Sequence, residues 1–517
     1  MEIKTRVLKN QYYDSVALML AAKQLREHPE VADAALIMGT EVNKELLDQG
    51  GLLTREARSA QPNDLIITVK CRTDAENYLD EAQSLLTKKM RDMGSGTALP
   101  QTVRSAMRVN PDLNLAVISV AGSYAAREAR EVLAGGLHAL LFSDNVLLED
   151  EIALKKLALQ RNLLLMGPGA GTAIINGVGL GFANAVARGS IGIVSAAGTG
   201  LQEVSTLICK RGAGVSQGIG TGGRDLSRDV GGLMFFAAID ALQADPQTEI
   251  LALISKPPDA EVTKALIDRI KSSKKKTVLC LLGADLPEKG SGNLFFTRTL
   301  EECAYTAAAL AKGKLPDIEK LIKKEDEQLH ALIKQWKGKF ADHQCFVRGL
   351  FSGGTLCYEA QVIWKDLLDS LVYSNAPLEK KDLLKDSNRS QGHSAVDLGE
   401  EEFTIGRPHP MIDNDLRVQR LRQEAADPET AVILLDVVIG FGAHPDPAAE
   451  LGEAIKQLSI GLEKKMRHIA FVTSVTGTEE DPQGLSRCQK LLQDAGAIVC
   501  ASNAQAARLA VALIERQ

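Results

Sequence analysis

The chain has 517 residues, 60 Lys+Arg against 66 Asp+Glu for a formal net charge of −6, 45% hydrophobic residues and 44 glycines. With 24% charged residues and ample Leu, Val, Ile and Ala, disorder is excluded. A chain with no basic surplus cannot neutralise a phosphate backbone, so nucleic acid and anionic membranes are excluded as default partners. At roughly 150 residues per domain, the length predicts about three or four domains.

Met1-Glu2-Ile3-Lys4 leads into acidic and polar residues before any apolar run of signal-peptide length, and no stretch approaches the ~20 apolar residues of a membrane span. The expectation is a soluble, cytoplasmic protein. The eight cysteines include no Cys-x-x-Cys pair and sit singly among apolar neighbours, which predicts reduced core thiols and no zinc site.

In chain order, residues 1–96 predict a small α+β module: strands at 31–38 and 64–69, helices at 13–26 and 75–91, and a linker at Met93-Gly94-Ser95-Gly96-Thr97. Residues 97–189 predict a doubly wound α/β domain, with strands at 115–120, 139–142 and 163–166 separated by helices at 125–133 and 149–160. A further α/β domain is predicted over 190–312, with strands at 191–195, 250–255 and 277–282. Over 313–343, Leu315, Ile318, Leu321, Ile322, Leu329, Leu332, Ile333 and Trp336 recur at helical spacing in a charged stretch, which predicts one amphipathic connecting helix. Residues 344–517 form the last α/β domain.

The last two α/β domains read as divergent repeats. Gly198-Thr199-Gly200-Leu201-Gln202-Glu203 matches Gly354-Thr355-Leu356-Cys357-Tyr358-Glu359, and Ala244-Asp245-Pro246-Gln247-Thr248-Glu249 matches Ala426-Asp427-Pro428-Glu429-Thr430-Ala431, each of the latter pair running into an apolar strand. Ser195, Gly198, Thr199 and Gly200, and in the second repeat Ser352, Gly353, Gly354 and Thr355, are small residues between a strand and a helix. A helix N-terminus with free N–H groups attracts anions, so these eight residues are candidate phosphate ligands.

Gly222 and Gly223 are further candidate phosphate ligands and precede Arg224, a candidate catalytic residue whose guanidinium can grip a phosphate or carboxylate with two prongs, or pair with a nearby acid. Met166-Gly167-Pro168-Gly169-Ala170-Gly171 follows a strand of the first α/β domain, where ligands of open parallel sheets collect; a plain interdomain connection is the other reading. His409 and His444 lie in proline-flanked loops and are candidates for proton transfer or nucleophilic attack, or are ordinary rigid-loop residues.

Residues from about 115 to 310 resemble the α subunit of succinyl-CoA synthetase and the ADP-forming acyl-CoA synthetases, through Met166-Gly167-Pro168, Gly192-Ile193-Val194-Ser195 with Gly198-Thr199, Gly220-Thr221-Gly222-Gly223 and Asp245-Pro246-Gln247-Thr248-Glu249. Nearly the whole chain resembles the FdrA family, including Ser143-Asp144-Asn145, Ser255-Lys256-Pro257-Pro258 and Gly406-Arg407-Pro408-His409-Pro410-Met411-Ile412-Asp413. The resemblance implies a Rossmann-like CoA-binding-type domain followed by two flavodoxin-like domains of succinyl-CoA-synthetase type. It also implies paired helix ends that hold phosphate.

Where the synthetases carry a Gly-His-Ala-Gly-Ala phosphohistidine loop, this chain reads Gly283-Ala284-Asp285-Leu286-Pro287, and Ser255-Lys256-Pro257-Pro258 replaces the partner Gly-Glu-Ile-Gly-Gly. The glycine-rich turn that would seat coenzyme A is missing, so coenzyme A is a secondary expectation. The missing histidine points to non-covalent binding of phosphate or carbamoyl phosphate as substrate, and the FdrA resemblance implies a subunit of an oxamate carbamoyltransferase of allantoin catabolism. Companion subunits or a homo-oligomer are the expected partners. A CoA-ligase subunit and a non-catalytic scaffold are the alternatives.

Overall fold

The computed structural model describes all residues except Tyr12, Asp14, 93–99, 288–289, 315–316, 337, 405–407 and 516–517. The expected linker at Met93–Thr97, the helical Leu315 and the Gly406-Arg407 pair lie outside the described residues. The chain divides into two compact units, Met1–Val109 with Thr404–Pro408, and the remainder.

The first unit runs β1 (Glu2–Leu8), α1 (Ser15–Arg26), β2 (Val31–Met38), α2 (Glu41–Gln49), α3 (Arg55–Ser59), β3 (Leu65–Cys71), α4 (Ala75–Asp92) and α5 (Val103–Val109). Its antiparallel sheet has the order β1-β3-β2. The central strand β3 is covered on both faces, one wholly apolar and the other carrying Ile66 with Thr68 and Lys70. Leu65, Ile67, Val69 and Cys71 pack with Leu18, Leu25, Leu79 and Leu86 of α1 and α4, while Ile66 packs with Leu47 and Ala57 of α2 and α3. The α+β expectation thus gains a third strand and two short helices. Strand β1 is too polar to read as a strand: its first three residues are exposed.

The second unit opens with β4 (Leu115–Ile118), α6 (Gly122–Ala134), β5 (His138–Leu141), α7 (Leu148–Gln160) and β6 (Leu165–Met166), a parallel sheet of order β4-β5-β6. The chain then leaves this sheet through Gly167–Gly171. The hairpin β7 (Thr172–Ile175) and β8 (Val178–Gly181) joins the next sheet by pairing Ile174 with Gly218. The predicted division at residue 189 therefore shifts toward the N-terminus.

That sheet continues with β9 (Arg188–Ser195), α8 (Gly198–Lys210), β10 (Val215–Gly220), α9 (Leu233–Ala244), β11 (Ile250–Ser255), α10 (Ala260–Lys271), β12 (Lys276–Leu281), β13 (Leu294–Thr297) and α11 (Leu300–Ala311). The predicted single connecting helix is two, α12 (Ile318–Glu327) and α13 (His330–Trp336), whose apolar residues pack on the core.

The last repeat comprises β14 (Phe346–Phe351), α14 (Gly354–Leu367), β15 (Val372–Ser374), β16 (His393–Asp397), α15 (Glu401–Thr404), α16 (Asp415–Ala426), β17 (Thr430–Val438), α17 (Pro447–Glu463), β18 (Ala470–Thr476), α18 (Leu485–Asp494), β19 (Ile498–Cys500) and α19 (Asn503–Ile514). Its sheet order is β15-β16-β14-β17-β18-β19, against β13-β12-β11-β9-β10-β7-β8 in the preceding one. Leaving aside β15 and the β7–β8 hairpin, the strands of each repeat fall in the order 2-1-3-4-5, with all these pairings parallel. A ligand of such a sheet sits beyond the carboxyl ends of the strands where the order reverses.

One continuous apolar core, from Ile191 and Leu207 through Leu300 and Ala307 to Trp364 and Ala510, runs through both repeats. The cysteines form no disulfide among the described residues, and six of the eight are buried. Among the described residues no helix is long and apolar enough to cross a membrane.

Candidate functional site

The reversal points of both repeats lie at the starts of α8 and α14, and these two helix ends meet. The Thr355 N–H donates to Thr199 Oγ1 at 3.3 Å. A Cβ added to Gly353 would lie 2.7 Å from Thr199 Cγ2, and one on Gly200 3.0 Å from Thr355 Cγ2. Gly200 and Gly353 are glycine because the repeats touch there. Gly198 and Gly354, at the first position of each helix, are half-buried. The first N–H groups of a helix have no acceptor within the helix, so both ends are electrophilic.

Not every predicted phosphate ligand is free to act as one. Ser195 turns its hydroxyl onto its own loop, donating to the Ala197 carbonyl at 2.7 Å and accepting the Ala197 N–H at 3.1 Å. Ser352 and Gly353 require a correction. Their N–H groups donate to Asp436 Oδ1 at 2.8 Å and Oδ2 at 2.9 Å, and Ser352 Oγ donates to Oδ2 at 2.9 Å. Arg417 Nη2 holds the same carboxylate at 2.9 Å. An internal carboxylate thus fills the cradle expected for phosphate.

Arg224 is corrected as well. Its guanidinium is paired to Glu151 at 2.8 Å and donates to the Val146 carbonyl at 2.8 Å. Glu151 is buried and shares Lys155 with Asp225, at 2.8 and 2.7 Å. Asp225 in turn accepts the Phe235 N–H at 2.6 Å. This network fastens the 222–225 loop to α7. Gly222, with φ +91°, lies where a Cβ would strike the Pro168 carbonyl, and Gly223 precedes Arg224 in the same loop. The acid-pairing reading of Arg224 holds.

His444 Nε2 faces Glu450 at 3.3 Å and its Nδ1 accepts the Asp446 N–H at 3.0 Å, so both ring nitrogens are engaged at the start of α17. His409 is nearer the reversal point. Its Nδ1 accepts the Met411 N–H at 3.2 Å, its ring packs on Phe182, and burial together with the Arg417 charge pushes its pKa down to about 4. The neutral ring therefore carries its proton on Nε2, which faces Gly399: a Cβ there would be 2.8 Å from Nε2 and 3.2 Å from Asp397 Oδ1.

Three further residues complete the surroundings of Gly354. Lys256, just past β11 of the first repeat, places Nζ 3.4 Å from the position of a Gly354 Cβ and 5.8 Å from the Tyr358 ring centre. Asp397 ends β16, is 3% exposed, and sets Oδ2 against the Gly354 backbone. Its Oδ1 accepts the Gly399 N–H at 2.9 Å. Asp436 lies behind. Of the predicted site residues, the fold brings Gly354, Thr355, Thr199, Gly200 and His409 together, and leaves Arg224 and His444 in other pairings. Lys256 lies in the Ser255-Lys256-Pro257-Pro258 stretch that replaces a synthetase motif, whereas Asp397, at the end of the mixed strand His393–Asp397, carries no sequence signal of its own.

At the start of α6, where a Rossmann-like domain would seat a diphosphate, a Cβ on Gly122 would collide with the Asp144 and Asn145 carbonyls. Those carbonyls lie against the Gly122 backbone, so only glycine fits at the first position of α6.

Residues 350–513 match the CoA-ligase family and residues 1–101 match "AllF, heavy metal-associated domain". Cys71 is the sole cysteine of that first segment and is buried, and among the described residues no three His, Cys, Asp or Glu side chains could hold a metal ion. These residues do not fit a heavy-metal ion.

The succinate–CoA ligase [ADP-forming] subunit alpha of Aquifex aeolicus is 29% identical over 167 residues, 31% of this chain and 53% of that protein. The dinucleotide-forming acetyl-coenzyme A synthetase 1 of Ca. Korarchaeum cryptofilum, solved with phosphate and ADP, is 15% identical, with 82% of this chain and 86% of that one covered at a TM-score of 0.31. The uncharacterized protein YahF of Escherichia coli K12 is 43% identical over 516 residues, 99% of this chain and 98% of that protein. The chain belongs to the FdrA-like family, whose members resemble acyl-CoA synthetases and succinyl-CoA ligases.

Proposed function

We propose that the chain binds phosphate, or the phosphate end of carbamoyl phosphate, without a covalent intermediate, as a subunit of an oxamate carbamoyltransferase working with companion subunits. The supporting observation is the start of α14: Gly354 has Lys256 of the first repeat beside it, and the α8 end abuts it through Thr199. An ammonium and a helix N-terminus converging from two repeats suit a dianion. The described part of the loop after β12, where the synthetases carry their phosphohistidine, holds no histidine.

In this reading, a phosphate oxygen attacks the carbamoyl carbon of oxalurate and the C–N bond breaks, giving oxamate and carbamoyl phosphate. Oriented N–H groups and the Lys256 charge stabilise the anionic centre that develops. The purified chain, alone and with its companion subunits, is supplied with oxalurate and phosphate, and in parallel with ATP, coenzyme A and a carboxylate. Carbamoyl phosphate in the first mixture is expected. Acyl-CoA in the second would establish the ligase reading, and silence in both the scaffold reading.

A further inference from the structure

We propose that Asp397 is the proton carrier of this site: its Oδ2 hydrogen-bonds an oxyanion seated on the α14 N-terminus beside Lys256, and its proton passes to the leaving nitrogen. The inference rests on the anion-site reading above and adds to it the group that moves the proton, a role neither candidate histidine fits.

The geometry carries it. Asp397 is buried, Oδ1 is occupied by the Gly399 N–H, and Oδ2 takes no hydrogen bond from the described residues while lying against Gly354. A buried carboxyl at a helix end with one oxygen left without a donor is suited to share a proton with a ligand there. The surrounding charges come from several elements. Lys256 approaches from β11, Glu400 from the turn after β16, and Asp436 from β17, already neutralised by Arg417. Cys357 on α14 has its thiol pKa pushed up by burial and by Asp397, so it stays uncharged. His409 is neutral.

Burial pushes the Asp397 carboxyl up to about 7; Lys256 pulls it down, while Glu400 and Asp436 push it up. A carboxyl of that value is half protonated at neutral pH and can both give and take a proton.

The proton balance of the reaction needs one such group. Hydrogen phosphate forms a C–O bond to the carbamoyl carbon and loses its hydroxyl proton, while the nitrogen that keeps the C–N bonding pair gains one. Asp397 delivers its proton to the nitrogen and recovers one from the phosphate hydroxyl, ending as it began.

The test uses the full chain and sulfate, a dianion that does not titrate between pH 6 and 8, by calorimetry. Wild-type affinity is expected to fall about tenfold from pH 6 to pH 8, with uptake of about half a proton on binding at pH 7 measured in two buffers of different ionisation enthalpy. Asp397→Asn is expected to bind sulfate with no pH slope, and to lose at least about 100-fold in turnover with companion subunits. Lys256→Met is expected to weaken binding at both pH values and, because Lys256 holds the Asp397 pKa down, to move the pH slope toward higher pH.

Binding that is flat with pH and takes up no proton in the wild type, or a slope retained by Asp397→Asn, overturns the role of Asp397 and leaves the anion site standing. Absence of both sulfate and phosphate binding by the wild type at pH 6 overturns the anion site, and the proton carrier with it. The proton-uptake measurement needs no variant, so a failure of Asp397→Asn to fold does not block the test.

Discussion

Glu203 and Glu359 stand at matching positions of α8 and α14, and each caps a helix of the opposite repeat. Glu203 Oε1 accepts the Asn503 N–H at the start of α19 at 3.0 Å; Glu359 Oε1 accepts the Leu300 N–H at the start of α11 at 2.7 Å. The Asn503 side chain also donates to Glu359 Oε2 at 2.8 Å, so one asparagine touches both acids. Burial pushes the Glu359 pKa up to about 8. Between about 4.5 and 8 the folded chain keeps a proton that the unfolded chain releases, so stability falls as pH rises through that window. Glu359→Gln sets an N–H against one of two donors and is expected to cost about 1–3 kcal/mol at pH 5. The deficit should shrink toward pH 8. Urea midpoints at pH 5, 6.5 and 8 check this, and a deficit independent of pH would contradict it.

The histidines act in the other direction. His393 accepts the Val347 N–H at 3.2 Å, and burial with the Arg348 charge pushes its pKa down to about 4; His409 is lowered to the same value. Here the unfolded chain binds protons that the folded chain refuses, so stability is present above about 6.5 and is lost as pH falls toward 4. His393→Gln offers an oxygen to the Val347 N–H without a charge to bury. It is expected to flatten the acid limb by on the order of 3 kcal/mol between pH 6.5 and 4, read from denaturant midpoints.

Gly353→Ala puts a methyl 2.7 Å from Thr199 Cγ2 and is expected to cost about 1–3 kcal/mol by forcing the helix ends apart. Thr199→Gly in the same chain clears that space. A double-mutant cycle by thermal unfolding should therefore show a favourable coupling; additive costs would mean that the two residues do not meet.

Arg224 and Lys256 give opposite expectations. Arg224→Met breaks a pair with the buried Glu151, but Lys155 remains beside that carboxylate. Stability should drop by about 1–2 kcal/mol, with sulfate affinity within about twofold of wild type. Lys256→Met should leave the unfolding midpoint nearly unchanged and weaken sulfate binding by at least about tenfold. Calorimetric titration of both variants decides; a large loss of affinity in Arg224→Met would restore the phosphate-gripping role.

The local periodicity of the sequence was enough to read the parallel α/β domains and their repeat. Strands such as Ile250–Ser255 and Thr430–Val438 are wholly buried and read as apolar runs. The repeated Asp-Pro segments also have a plain structural cause: Asp245 and Asp427 each accept the N–H two residues on, at 3.0 and 2.9 Å, turning the chain into its next strand.

The site was less legible because its partners come from far along the chain. Nothing near Ser352 and Gly353 indicates that Asp436 will take their N–H groups. Lys256 and Gly354 belong to different repeats. The Gly222–Arg224 loop looked like an anion grip because Glu151, its true partner, lies in an earlier domain.

The core shared by the two repeats imposes an order of events on a ribosome making this chain. α14 is finished at Leu367, yet the helix packed on it, α19, is not made until Asn503–Ile514. At about 5–20 residues per second, an apolar surface meant for the interior waits roughly 7–30 s for its cover. Nascent chains of this protein are therefore natural clients for a chaperone that binds exposed apolar helices, and a stop codon just before Asn503 would leave that surface uncovered for good.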